Sequence, residues 1–226
     1  MTGHHSWGYG QADGPAEWHK AYPIAQGNRQ SPIDIDSARA VYDPSLQPLV
    51  ISYECCSSLS ISNTGHSVMV EFEDTDDRTD MLHLVHWNAR KYATFGEAAA
   101  APDGLAVVGV FLEIGKEHAS MNRLTDALYM VKFKGTKAQF RGFNPKCLLP
   151  LSLDYWTYLG SLTTPPLNES VTWIVLKEPI RISVKQLEKF RMLLFTGEED
   201  QRIQMANNFR PPQPLKGRIV RASFKA

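Results

Sequence analysis

Apolar residues in this chain come in short runs broken by polar turns bearing Gly or Pro, the pattern of a β-rich protein. The runs at 49–53 and 59–61 are short and β-prone. The run at 67–72 alternates with period two, which predicts a strand with one face on a core. Runs at 82–87, 105–112 and 171–176 are continuously apolar and rich in β-branched residues, as strands buried on both faces are. Helical periodicity is scarcer. A helix is expected over 122–131. A clearer one is expected over 183–194, where Ser183 suits an N-cap and Leu187, Phe190, Leu193 and Leu194 make one apolar stripe. Residues 207–218 form an extended Pro-rich segment ahead of a short strand at 219–224. No repeat, low-complexity tract or Gly/Ser linker divides the chain, so one mostly β domain over 1–226 is predicted.

Composition narrows the function. The 24 Lys and Arg residues balance 24 Asp and Glu, which argues against a protein built to grip nucleic acid or an anionic membrane. No apolar run approaches the roughly 20 residues of a membrane span. The first ten residues lack the basic and apolar regions of an export signal, so a cytoplasmic location is expected. The cysteines are Cys55, Cys56 and Cys147. An odd count with no regular spacing predicts neither a disulfide framework nor a thiolate metal site.

Candidate chemistry rests on histidines and one loop. His83 and His86 lie on one predicted strand, three apart, so they face opposite sides and cannot grip one metal together. His4 and His5 belong to a terminus expected to be exposed. His66 follows Gly65 and opens a strand. It reads either as a surface loop residue or as a proton-relay group facing a cleft, since imidazole titrates near neutrality. In 161–167 (SLTTPPL) two threonines precede two prolines that stiffen the backbone, which either aims a hydroxyl at a ligand or simply turns the chain. No Gly-x-Ser-x-Gly, phosphate-loop or dinucleotide motif is present.

These features sit among runs that resemble the α-class carbonic anhydrases in order along nearly the whole chain: SWGYG at 6–10, GNRQSPIDI at 27–35, GHS at 65–67, LHLVHWN at 82–88, PDGLAV at 102–107, YWTY at 155–158, SLTTPPL at 161–167, VTWIVL at 171–176 and RPPQPL at 210–215. The resemblance implies a large twisted, mainly antiparallel sheet with short peripheral helices. It implies a lyase that reversibly hydrates carbon dioxide to bicarbonate and a proton, with a small-molecule substrate, no nucleic acid or membrane partner, and a monomeric state. Zinc is the implied cofactor: held by three histidines, it lowers the pKa of its bound water. By the resemblance His83 matches the third zinc ligand and His66 the proton shuttle. Thr163 matches the hydroxyl that orients zinc-bound hydroxide, with Thr164 beside it. Val85, Val107, Leu162, Val171 and Trp173 match the apolar wall around the substrate. Asn208 matches a residue supporting another ligand, and Tyr9 and Thr64 match positions near the shuttle's water path.

The resemblance breaks at one place. The family carries its first two ligands as His-x-His on a strand ahead of the third. Here Phe72 is followed by an acidic stretch over 73–80, then Met81, Leu82 and His83. About forty residues, or two strands with their loops, are missing by strand-length arithmetic. An internal deletion near 80–81 with loss of about two central strands is therefore expected. The glutamate that pairs with the Thr163 hydroxyl goes with that segment. Met81 replaces the acid that supports the third ligand, and Leu159 replaces a proline. Catalytic zinc needs three protein ligands, so weak or absent zinc binding and activity are expected. The acidic stretch is short enough to turn a hairpin between its flanking strands. Three readings follow: a catalyst by descent, a non-catalytic binding relative, or an exon-skipped product.

Overall fold

A computed structural model describes residues 6–53, 58–72 and 82–226. The strands are β1 (Val41–Tyr42), β2 (Ser58–Asn63), β3 (Val68–Phe72), β4 (Leu82–Trp87), β5 (Leu105–Val110), β6 (Leu112–Ile114), β7 (Lys137–Gln139), β8 (Tyr155–Gly160), β9 (Val171–Leu176), β10 (Ile180–Ile182) and β11 (Arg221–Ala222). Helices are short: α1 (Phe95–Ala99), α2 (Asn122–Thr125), α3 (Val184–Arg191) and several single 3-10 turns.

The main sheet has six strands in the order β1-β11-β8-β9-β5-β4. Three of its pairings are antiparallel, while β1 with β11 and β5 with β9 run parallel. The sheet is thus mainly antiparallel, as expected, with two parallel pairings. β5 and β9 lie inside the sheet, each paired on both sides, as strands dominated by Val, Leu and Ile on both faces do. One face carries Leu105, Val107, Tyr158, Val171, Trp173 and Val175 into a core. The other face sends Leu84, Val108, Val110, Tyr155 and Leu176 into a larger core shared with the helices. Ile61, fully buried, carries the separate β3-β2-β7 sheet into that same core.

β3 and β4 do not pair with each other among the described residues. β3 ends one sheet and β4 ends the other. The expected hairpin over 73–80 lies outside the described residues, as do His4, His5, Cys55, Cys56 and Met81. β3 also lacks the one-sided burial that its alternation predicts, since all five of its residues are only partly buried.

Other expectations are corrected. Residues 49–53 form no strand, although Tyr53 is buried in the larger core. The helix over 122–131 shrinks to α2 and a 3-10 turn, and 105–112 divides into β5 and the start of β6. At 219–224 only Arg221 and Ala222 pair. α3 starts as expected: the Ser183 side chain accepts from Gln186 N–H and the Gln186 side chain accepts from Ser183 N–H, a capping box. Its helical bounds stop before Leu193 and Leu194, which are nonetheless buried.

The segment 27–35 holds the loop after β8 in place. Ser31 N–H donates to Ser161 Oγ (2.9 Å), and Ser161 N–H donates back to Ser31 Oγ (3.0 Å). The Ser31 hydroxyl also bonds the Tyr158 hydroxyl at 3.0 Å. Gly160 permits this approach, since a Cβ there would sit 2.1 Å from Ser31 Oγ. Gln30 Nε2 donates to the Leu167 carbonyl and the Glu169 carboxylate. Arg210 donates to Gln30 Oε1, to the Ser31 carbonyl and to the Ala25 carbonyl. Burial lowers the Arg210 pKa to about 10, so it stays charged at neutral pH.

His86 meets the larger core at Tyr53. Its Nδ1 lies 3.3 Å from the Ala106 carbonyl and its Nε2 lies 2.8 Å from the Tyr53 hydroxyl. A carbonyl only accepts, so Nδ1 carries the proton and Nε2 accepts from Tyr53. Burial holds the His86 pKa below its ordinary value of 6.5.

Two predictions follow from this packing. Ser31→Ala strands the buried Ser161 N–H and the Tyr158 hydroxyl, so it should lower stability by about 1–3 kcal/mol, read as a shift of the urea midpoint at unchanged m-value. For His86 the unfolded chain takes up a proton at a higher pH than the folded one. Its contribution to stability is therefore full above the ordinary histidine range and falls as the pH drops below about 6.5. Urea midpoints measured from pH 7.5 to 5 should fall, and His86→Gln should flatten part of that slope.

Candidate functional site

Register places the residues expected around the substrate on one face of the main sheet. His83, Val85 and Trp87 of β4 lie opposite Gly109, Val107 and Leu105 of β5. Those in turn lie opposite Val175, Trp173 and Val171 of β9. Directly opposed residues share a face, so His83, Val85, Val107, Val171 and Trp173 form one apolar wall. Leu162 packs against the same cluster. The loop carrying Leu162, Thr163 and Thr164 is closed by Leu162 N–H donating to the Asn168 carbonyl and Leu167 N–H donating to the Thr164 carbonyl, both at 2.9 Å. Trp173 Nε1–H donates to the Ser161 carbonyl at 3.0 Å, which ties that loop to the wall. No described side chain accepts a hydrogen bond from the Thr163 hydroxyl.

His83 stands edge-on to the Trp173 ring, centroids 4.7 Å apart. Its Nε2 is buried and has no hydrogen-bond partner among the described residues. Burial pushes its pKa down to about 3, so the ring is neutral. His86 points to the other face, as the spacing of three requires. Among the described residues no three His, Cys, Asp or Glu side chains come together where they would hold a metal ion. His83 is the one expected ligand on this wall. The described donor set does not fit a catalytic zinc, which needs three protein ligands and an open position.

His66 sits apart, on the turn that joins β2 to β3. That turn is closed by Gly65 at φ +83°, whose N–H donates to Asn63 Oδ1, and by Ser67 N–H donating to Thr64 Oγ1. The His66 ring stacks on Trp7, centroids 3.7 Å apart and planes within 10°. Trp7 in turn packs edge-on against Tyr9 and Trp18. Asn208, expected to support a ligand, donates through Nδ2 to the His66 backbone carbonyl at 3.1 Å.

A groove of about 680 Å³ opens between β4, β3 and α3. Its walls include Val68, Phe72, Leu84, Leu187, Phe190 and Met205. Of the residues expected at the site only His83, Val85 and Asn208 reach it. The sequence reading missed this groove, the Tyr53–His86 pair and the Trp7–His66 stack. Trp7 was marked only by its place in the run at 6–10. The groove has no signal in any local run, because β3 and β4 form it together with α3, which lies far along the chain.

Comparison with known proteins bears on this arrangement. The family model described as "Eukaryotic-type carbonic anhydrase" matches in two stretches, residues 13–81 and 77–224, which meet between β3 and β4. The chain is 66% identical to human "Carbonic anhydrase 7" and 67% identical to its mouse counterpart. Each alignment runs over 264 positions and covers 100% of both proteins, against the 226 residues of this chain. With identity at this level over the whole length, and the wall, turn and loop motifs in their expected order, the chain belongs to the eukaryotic-type carbonic anhydrase family.

Proposed function

We propose that this chain is a carbonic anhydrase family protein in which zinc-dependent hydration of carbon dioxide is lost or strongly impaired. The observation that carries this reading is the isolation of His83. It is a single neutral imidazole against Trp173, and no second or third donor converges on it among the described residues. Zinc bound by three protein ligands would supply a hydroxide nucleophile at neutral pH, and a single imidazole does not assemble that centre. His66 as proton shuttle and Thr163 as hydroxide-orienting group belong to the same reading. Each keeps its family position while the group it would serve is not assembled. The wall of Val85, Val107, Leu162, Val171 and Trp173, with Thr164 on the adjoining loop, remains as an apolar surface suited to a small uncharged molecule such as carbon dioxide.

The shortfall near 80–81 is best read as one event. The family match breaks within 77–81 and resumes on both sides, with 66–67% identity to the relatives over the alignment. Gradual loss of function would have let His66 and Thr163 drift. An exon-skipped product is therefore favoured over an old non-catalytic binding protein. A reducing compartment such as the cytoplasm suits Cys147, which is a free thiol. No described helix is long and apolar enough to cross a membrane.

Purified chain dialysed against zinc should retain well under one equivalent by elemental analysis and should hydrate carbon dioxide no faster than buffer. One zinc per chain with sulfonamide-sensitive hydration overturns the proposal. Sequencing the gene and transcript across codons 80 and 81 decides between the two origins, since an unbroken genomic exon there rules out skipping.

A further inference from the structure

β4 has a strand on one side only. Every residue from Leu82 to Trp87 registers with β5, and no other described strand lies beyond it. The groove begins at this edge. Five consecutive β4 residues, Leu82 to His86, line it. Side chains alternate across a strand, so a wall meeting only one face would show every second residue. Contact with all five means that the groove runs along the edge itself, where the outward N–H and C=O groups of β4 point. The remaining walls are mostly apolar, from β3, from α3 and from Met121, Leu124 and Phe143.

This combination selects the occupant. An apolar small molecule would fill the volume but leave a row of backbone donors and acceptors shut away from water without partners. An extended peptide satisfies both demands, since its backbone pairs with β4 and its alternate side chains meet the apolar walls. The comparisons locate a source for it. The family match breaks between β3 and β4, the strands that flank the groove, and the alignments to the relatives run over 264 positions against the 226 residues of this chain.

We infer that the groove along β4 is a strand-acceptor site that binds, in trans, the segment of a full-length family member that faces the gap in this chain. β3 and β4 are five and six residues long, so the pairing core of the bound segment is about 17–20 Å of extended chain. The inference rests on the reading that a segment is missing. Its test reads binding in metal-free buffer, so it stands or falls separately from zinc content and hydration.

The experiment uses the full 226-residue chain and a synthetic peptide carrying the residues of human carbonic anhydrase 7 that face the gap. Calorimetry should show saturable one-to-one binding. Hydrogen exchange should show new protection at the amides of 82–87. A peptide with alternate backbone amides N-methylated across its strand keeps every side chain but cannot pair. It should bind at least tenfold more weakly, about 1.4 kcal/mol, which a hydrogen bond or two supplies. A scrambled peptide should not bind. The inference is overturned if the native peptide shows no saturable binding, or if the N-methylated or scrambled peptide binds equally well, which would make the groove a general apolar sink. It is also overturned if the chain alone is a dimer with its β4 amides already protected, which would make a second copy the occupant.

Discussion

A β-strand buried in a sheet must find partners on both sides, because each backbone N–H and C=O shut away from water without a partner costs stability. Among the described residues β4 meets that demand only toward β5. Much else in the molecule depends on this one-sidedness. The six-stranded sheet ends at β4, the β3-β2-β7 sheet stands separately, and the space between them is the apolar groove. An open strand edge beside apolar walls is also a template for association, which proteins ordinarily cover or blunt. His83 lies on that last strand, so among the described residues it has strand neighbours only on the β5 and β9 side.

The rest of the framework is intact because it is held from elsewhere. The loop at 161–167 is pinned by Ser31, Gln30 and Arg210, none of which touches β4. Buried polar groups of this kind hold one geometry strongly when every member is satisfied. Here the reciprocal Ser31–Ser161 bonds and the Arg210 contacts join segments more than 120 residues apart. The apolar wall beneath the loop is built by the register of β5 with β9, the most deeply buried pair in the sheet. The apolar wall and the hydroxyl-bearing loop thus persist beside a His83 on which no metal-binding cluster converges among the described residues.

The candidate site was legible where it depends on period and motif. The opposite facing of His83 and His86 follows from a spacing of three on a strand, and the structure shows it in the Trp173 and Tyr53 contacts. The start of α3 follows from the Ser183 and Gln186 capping chemistry. Residues 49–53 were misread because a short β-prone run forms a strand only if a neighbour offers an edge. There the run serves instead to bring Tyr53 to His86. The one-sided burial expected of β3 failed for a related reason: alternation describes the pleat of a strand, and which of its faces is covered depends on what packs against it.

The sequence by itself determined that this is a β-rich chain of the carbonic anhydrase family with His83 and His86 on opposite faces of one strand, because ordered motifs and residue spacing are properties of the chain. Only the tertiary structure decided what surrounds His83 and what lies beside it. The neutral His83, whose Nε2 has no hydrogen-bond partner among the described residues, the attachment of Asn208 to the His66 turn and the groove along β4 arise where elements far apart in sequence meet. Pairing between distant strands is set by the edges and volumes available in the folded molecule, and no local run of residues records them.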